Sequence, residues 1–182
     1  MTQEYDDHRR IVVVDEGDQS RTIADGPSPD IRTDPARPGF KLSRMWASEA
    51  TPVRLKNLRE SLHLPYTLEP PLTGSTCYMV TFPPDSVFRG KVGAREVAAY
   101  FASMGSPGAS TYSPKAPHPY MQKTQSLEFA LILKGEITLV LDLEEVHLRA
   151  GDIVVQRGTN HAWSNRSEEP CVIAFSAHGA VA

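Results

Sequence analysis

Residues 121–136 read Met-Gln-Lys-Thr-Gln-Ser-Leu-Glu-Phe-Ala-Leu-Ile-Leu-Lys-Gly-Glu, and residues 151–165 read Gly-Asp-Ile-Val-Val-Gln-Arg-Gly-Thr-Asn-His-Ala-Trp-Ser-Asn. In the first run Leu127, Phe129, Leu131 and Leu133 alternate with Glu128, Ala130 and Ile132. That is the period of a strand with two differently used faces. Lys134-Gly135 separates two apolar runs and reads as a tight hairpin turn. Ile137, Leu139 and Leu141 resume the same period. A polar turn at Glu144-Glu145, a short strand through Val146 and Leu148, a turn at Ala150-Gly151-Asp152 and a strand over Ile153–Val155 follow. Short strands at spacings of about 8–12 residues predict an antiparallel sandwich or barrel.

Two motifs in this stretch resemble those of the cupin family, small double-stranded β-helix or jelly-roll barrels. The family's first motif is His-x-His, three or four residues, Glu, six residues, Gly; Glu128 and Gly135 stand seven apart, as it requires. The second is Gly, five residues, Pro-x-Gly-x-x-His-x-x-x-Asn. Gly151, Gly158, His161 and Asn165 match it, with one residue fewer between the glycines and Gln156-Arg157 in place of the proline pair. A weaker similarity to small single-domain members extends to Ile11–Val14, Asp25-Gly26-Pro27 and Trp46. The resemblance implies an all-β fold, a double-stranded β-helix (jelly-roll cupin barrel) over residues 75–182. Residues 1–74 are then an N-terminal extension of strands and loops that packs on the barrel or on a dimer partner. A fold of this kind hosts many chemistries, so it does not by itself name one.

The sequence departs from the family where a metal would be held. The two histidines of the first motif fall near positions 122 and 124, where Gln122 and Thr124 stand. Of three histidines and one glutamate, Glu128 and His161 remain. A borderline transition metal wants at least three imidazole or carboxylate ligands, and an amide oxygen substitutes poorly for imidazole. The expectation is therefore no resident cofactor, with weak divalent metal binding at Glu128, His161 and Gln122 as the alternative.

Glu128 and His161 are the candidate catalytic pair, because at motif spacing both side chains are expected to enter one cavity. Candidate substrate-binding residues are Gln122, Thr124, Trp163, Arg157 and Tyr120. Trp163 follows His161 by two and can wall the cavity, and Arg157 offers a guanidinium to an anionic group. His118, Tyr120, Gln122 and Thr124 share parity and face one way if their segment is a strand. His118 is weighed there both as a replacement ligand and as a rim residue.

The 182 residues suit one domain with a real core, and the net charge of −3 offers no basic face for nucleic acid. No apolar run approaches the ~18 residues of a membrane span. The acidic, polar start is unlike a signal peptide, so a cytoplasmic location is expected. Cys77 and Cys171, each in an apolar strand, read as small buried hydrophobes in a reducing compartment.

Earlier in the chain, Ile11–Val14 and Arg21–Ala24 read as a hairpin around the turn Asp15–Asp18. The stretch 25–39 is rich in Pro, Gly, Asp and Ser and reads as a loop. Phe40–Trp46 is extended, Ala50–Gly74 is mixed, and Ser75–Phe82 is a strand. Residues 93–104 carry a stripe of Val97, Ala98, Phe101 and Met104 and predict one short helix, stopped by Gly105. The proline-rich stretch 106–119 is either a lid over the barrel mouth or an ordinary connection.

Three functions fit these residues. The first is an enzyme of lyase or isomerase type in secondary metabolism. It acts on a small organic acid, polyketide or aromatic by acid–base chemistry: dehydration, isomerisation, cyclisation or decarboxylation. The second is a metal-dependent cupin dioxygenase. The third is a non-catalytic small-molecule binding protein. A homodimer is expected, in which extension strands cover edges left exposed in one copy.

Overall fold

The computed structural model describes residues 8–55 and 62–181. The acidic start at 1–7 and residues 56–61 of the mixed stretch lie outside the described residues. The strands are β1 (Arg9–Glu16), β2 (Gln19–Pro27), β3 (Ile31–Thr33), β4 (Lys41–Ser48), β5 (Ser75–Phe82) and β6 (Ser126–Lys134). They continue as β7 (Glu136–Val140), β8 (Glu145–Arg149), β9 (Ile153–Arg157), β10 (Ala162–Ser164) and β11 (Cys171–Gly179), with one helix, α1 (Ala94–Ser103).

Six strands form one sheet in the order β3-β4-β5-β11-β6-β9, and three form a second in the order β10-β7-β8. All pairings are antiparallel. This is the expected jelly roll. β3 and β4, which fall in the expected extension, belong to the larger sheet through the β4–β5 pairing. The β1–β2 hairpin is a separate two-stranded sheet. His8 ties the start of that hairpin to the outer face of β4 and β5, bonding Ser43 and Thr81 through its two ring nitrogens.

Period-two alternation sends Tyr78, Val80 and Phe82 of β5 inward, with Ala130 and Ile132 of β6, Ile137 and Leu139 of β7, and Ile173 and Phe175 of β11. The long apolar parity of β6 points the other way: Phe129 and Leu133 are exposed, with Ile153 and Val155 of β9 beside them. Ser126 and Glu128 share the inner face with Ala130 and Ile132. Gly135 turns β6 into β7 at φ +77°, and a Cβ there would meet the Pro170 carbonyl oxygen at 2.9 Å.

Helix α1 begins where Glu96 accepts the Gly93 N–H at 3.1 Å. It buries Val97, Tyr100 and Phe101. Cys171 is buried, as expected, but Cys77 is exposed, because β5 turns Cys77 and Met79 to the outer face.

Candidate active site

His161 precedes β10 and is joined to Gln122 by a two-way backbone bridge, Gln122 N–H to His161 O at 2.8 Å and His161 N–H to Gln122 O at 2.9 Å. The side chains meet as well: the Gln122 amide nitrogen lies 3.3 Å from His161 Nε2. His161 Nδ1 lies 2.9 Å from the Thr159 carbonyl oxygen, which only accepts, so Nδ1 carries the proton. Nε2 is then the lone-pair nitrogen, and Gln122 donates to it. His161 is 2% exposed. Burial pulls its pKa below the ordinary value, against the opposing effects of the Thr159 carbonyl and the Glu128 charge.

Glu128, on β6, is 4% exposed. Its Oε1 accepts the Ser126 hydroxyl at 2.8 Å and the Thr124 hydroxyl at 3.2 Å. Its charge acts on His161 and also on Tyr78 of β5, whose phenol is pushed well up by burial first and by Glu128 second. Glu128 therefore sits among His161, Tyr78 and two hydroxyls.

An interior cavity of about 40 Å³ lies between the sheets, lined by Gln122, Tyr120, Trp163, Tyr78, Phe175 and Arg37, among others. Trp163 stands edge-on to His161 at 5.9 Å and to Phe175 at 5.6 Å. A larger groove of about 700 Å³ outside the barrel is bordered by Thr124, Ser126, Arg157 and Lys123. The five expected binding residues are thus divided. Gln122, Tyr120 and Trp163 line the interior. Thr124 touches Glu128 from the groove side, and Arg157 is exposed on the groove.

The segment 118–124 is not a strand; its ladder contacts are the single bridges of Gln122. Shared parity therefore does not bring His118 to the site. Tyr120 N–H donates to His118 Nδ1 at 3.2 Å, and Nε2 faces Asp85 Oδ2 at 3.7 Å, beyond hydrogen-bond distance. His118 and Asp85 line a different cavity of about 460 Å³ beneath residues 112–119. The proline-rich stretch covers that cavity.

The donor set does not fit a resident transition metal. Among the described residues no three His, Cys, Asp or Glu side chains cluster to hold an ion. Glu128 and His161 supply one carboxylate and one imidazole, and the third candidate is the Gln122 amide.

Two residues of the site were not among those expected from the sequence. Arg37 and Asp34 lie in the stretch read as loop, yet they form a buried ion pair at 2.7 Å, and Arg37 reaches the interior cavity. Nothing in the local pattern marks them except their spacing of three, which suits a turn.

Residues 108–177 match the family model described as Cupin domain. The chain is 54% identical over 48 residues to phomopsin biosynthesis cluster protein C' of Diaporthe leptostromiformis, covering 26% of this chain and 25% of that protein. It is 39% identical over 51 residues to oryzines biosynthesis cluster protein J of Aspergillus oryzae, covering 28% of each. It is 28% identical over 127 residues to the cupin-domain-containing oxidoreductase virC of Hypocrea virens, covering 66% of this chain and 48% of that protein. The matched stretches span from a quarter to about half the length of these curated relatives.

Proposed function

This chain carries a cupin domain, and on that premise we propose that it is an enzyme of small-molecule biosynthesis working by acid–base chemistry at Glu128 and His161. The observation that carries the reading is that both groups are buried, with the Glu128 charge acting on His161 and the imidazole in a single fixed tautomer. Once the Gln122 amide turns away from its lone pair, His161 Nε2 takes a proton from the substrate. The Glu128 charge stabilises the imidazolium that forms, as its effect on His161 already indicates. The protonated imidazole then returns the proton at a second position. That cycle suits dehydration, isomerisation, cyclisation or decarboxylation of a small organic acid, polyketide or aromatic. The Thr124 and Ser126 hydroxyls hold Glu128 and border the outer groove.

The similarity to biosynthesis cluster proteins supports a place in secondary metabolism. The similarity to a cupin oxidoreductase favours a second reading, a metal-dependent oxygenase. The donor set of one carboxylate, one imidazole and one amide weighs against it.

The test is proton exchange in heavy water over a panel of small hydroxy acids, unsaturated acids and aromatic ketones. The expected result is enzyme-dependent deuterium uptake at carbon in at least one member. Binding of panel members with no exchange in any of them would favour the non-catalytic reading.

A further inference from the structure

Arg37 is 4% exposed and lies at the wall of the interior cavity. Its Nε donates to Asp34 Oδ2 at 2.7 Å, and Asp34 also accepts the Tyr120 hydroxyl at 2.9 Å. Three rings box the guanidinium: its carbon lies 3.6 Å from the centroid of Tyr120, 4.0 Å from Phe40 and 4.3 Å from Tyr100. The group cannot swing away. Its Nη2 is nonetheless buried with no hydrogen-bond partner. A buried donor of this kind normally finds an acceptor.

The cavity supplies the place for one. At about 40 Å³ it holds one or two water-sized groups, not a whole metabolite. Its other polar wall is Gln122, which is bonded to His161. We infer that Arg37 is the anchor for a carboxylate on the substrate, received in the interior cavity through Nη2. The guanidinium fork suits a carboxylate, and the ion is fixed before the ligand arrives. Asp34 offsets one positive charge but leaves the outer nitrogen unsatisfied, so a neutral amide gains less here than an anion. This rests on the proposed acid–base role of His161, which Gln122 joins to the cavity, and it narrows the substrate class to small carboxylic acids.

The experiment measures binding, separately from turnover. The full chain is titrated with acetate and benzoate and with acetamide and benzamide, followed by NMR of the Trp163 indole N–H and by calorimetry. The acids are expected to bind about tenfold or more tightly than the matching amides. Arg37→Lys keeps the charge beside Asp34 but loses the fork. It is expected to lower the melting temperature and, in the folded protein, to weaken acid binding about tenfold while leaving amide binding nearly unchanged. Glu128→Gln is expected to keep acid binding while losing proton exchange, which distinguishes failure of the anchor from failure of the chemistry. Equal binding of acids and amides, parental acid affinity in a folded Arg37→Lys, or no acid binding at 10 mM (about 2.7 kcal/mol by the affinity relation) would overturn the inference.

Discussion

The Gln122 amide nitrogen lies 3.3 Å from His161 Nε2 and donates to it. In the resembled motif a histidine stands at this place. An imidazole there would offer a second lone pair beside His161, whereas the amide N–H occupies the one that His161 has. The substitution thus turns a metal-facing nitrogen into a hydrogen-bonded base.

Metal content follows from that exchange. Protein purified without chelator is expected to carry well under one Fe, Ni, Mn or Zn per chain. The double variant Gln122→His, Thr124→His supplies the missing imidazoles and is expected to gain metal toward one per chain. Elemental analysis decides. About one tightly held ion in the parent contradicts the account.

Protonation of His161 gives a pH dependence with a definite sign. Burial holds its folded-state pKa below the ordinary 6.5. The unfolded chain therefore takes up this proton first as pH falls. Stability is at its full value above pH 6.5 and declines between there and the lower folded value. Urea midpoints measured from pH 7.5 to 5.5 should fall, with a shallower slope in His161→Gln. An unchanged slope in that variant would assign the dependence to other groups. Turnover needs the neutral imidazole, so its acid limb should also lie below pH 6.5.

The two halves of the site were not equally legible. Period-two alternation and the glycine turns mark β6, β7 and β9, and the apolar stripe ending at Gly105 marks the helix, because these are local signals. Glu128 and His161 are marked as candidates by motif spacing, and both are buried. Arg37 was not found. It reaches the cavity through tertiary placement of a turn-rich stretch, and no periodicity reports that. His118, open between a replacement ligand and a rim residue, lines a different cavity, because parity does not hold in a segment that is not a strand. The face of β6 was also ambiguous, since Leu127 and Phe129 are more apolar than Ser126 and Glu128, yet the polar pair is the buried one.

Asn165, the last residue of the second motif, has a structural role. Its side-chain amide nitrogen donates to the carbonyls of Phe82 and Glu169 at 3.0 and 2.8 Å, and its oxygen accepts the Ser167 N–H and hydroxyl. Asn165→Ala leaves these groups unsatisfied in a fully buried place and should cost about 2–3 kcal/mol. Denaturant unfolding measures it, and a loss below about 0.5 kcal/mol would contradict the role.

We propose a homodimer in which the second copy covers the β6–β9 outer face. Phe129, Leu133, Ile153 and Val155 are exposed there, and β9 is an edge of its sheet. The hairpin is tied at His8 to the β4–β5 part of the same face and carries exposed Ile11, Val13 and Ile23. Its acidic turn, Asp15 to Asp18, complements Lys134 and Arg157 beside the apolar patch. Light scattering at micromolar concentration should give twice the monomer mass, and Phe129→Lys with Val155→Lys should halve it. Monomer mass in the parent removes the proposal.

The central claim is that Glu128 and His161 move the substrate's proton. The most direct measurement is the rate of deuterium exchange, on the substrate that the panel identifies, in Glu128→Gln and His161→Ala against the parent. Melting temperatures are recorded on the same samples. The account predicts a loss by a factor of about 10² or more in each variant, with the fold retained. Parental rates in both variants would contradict it.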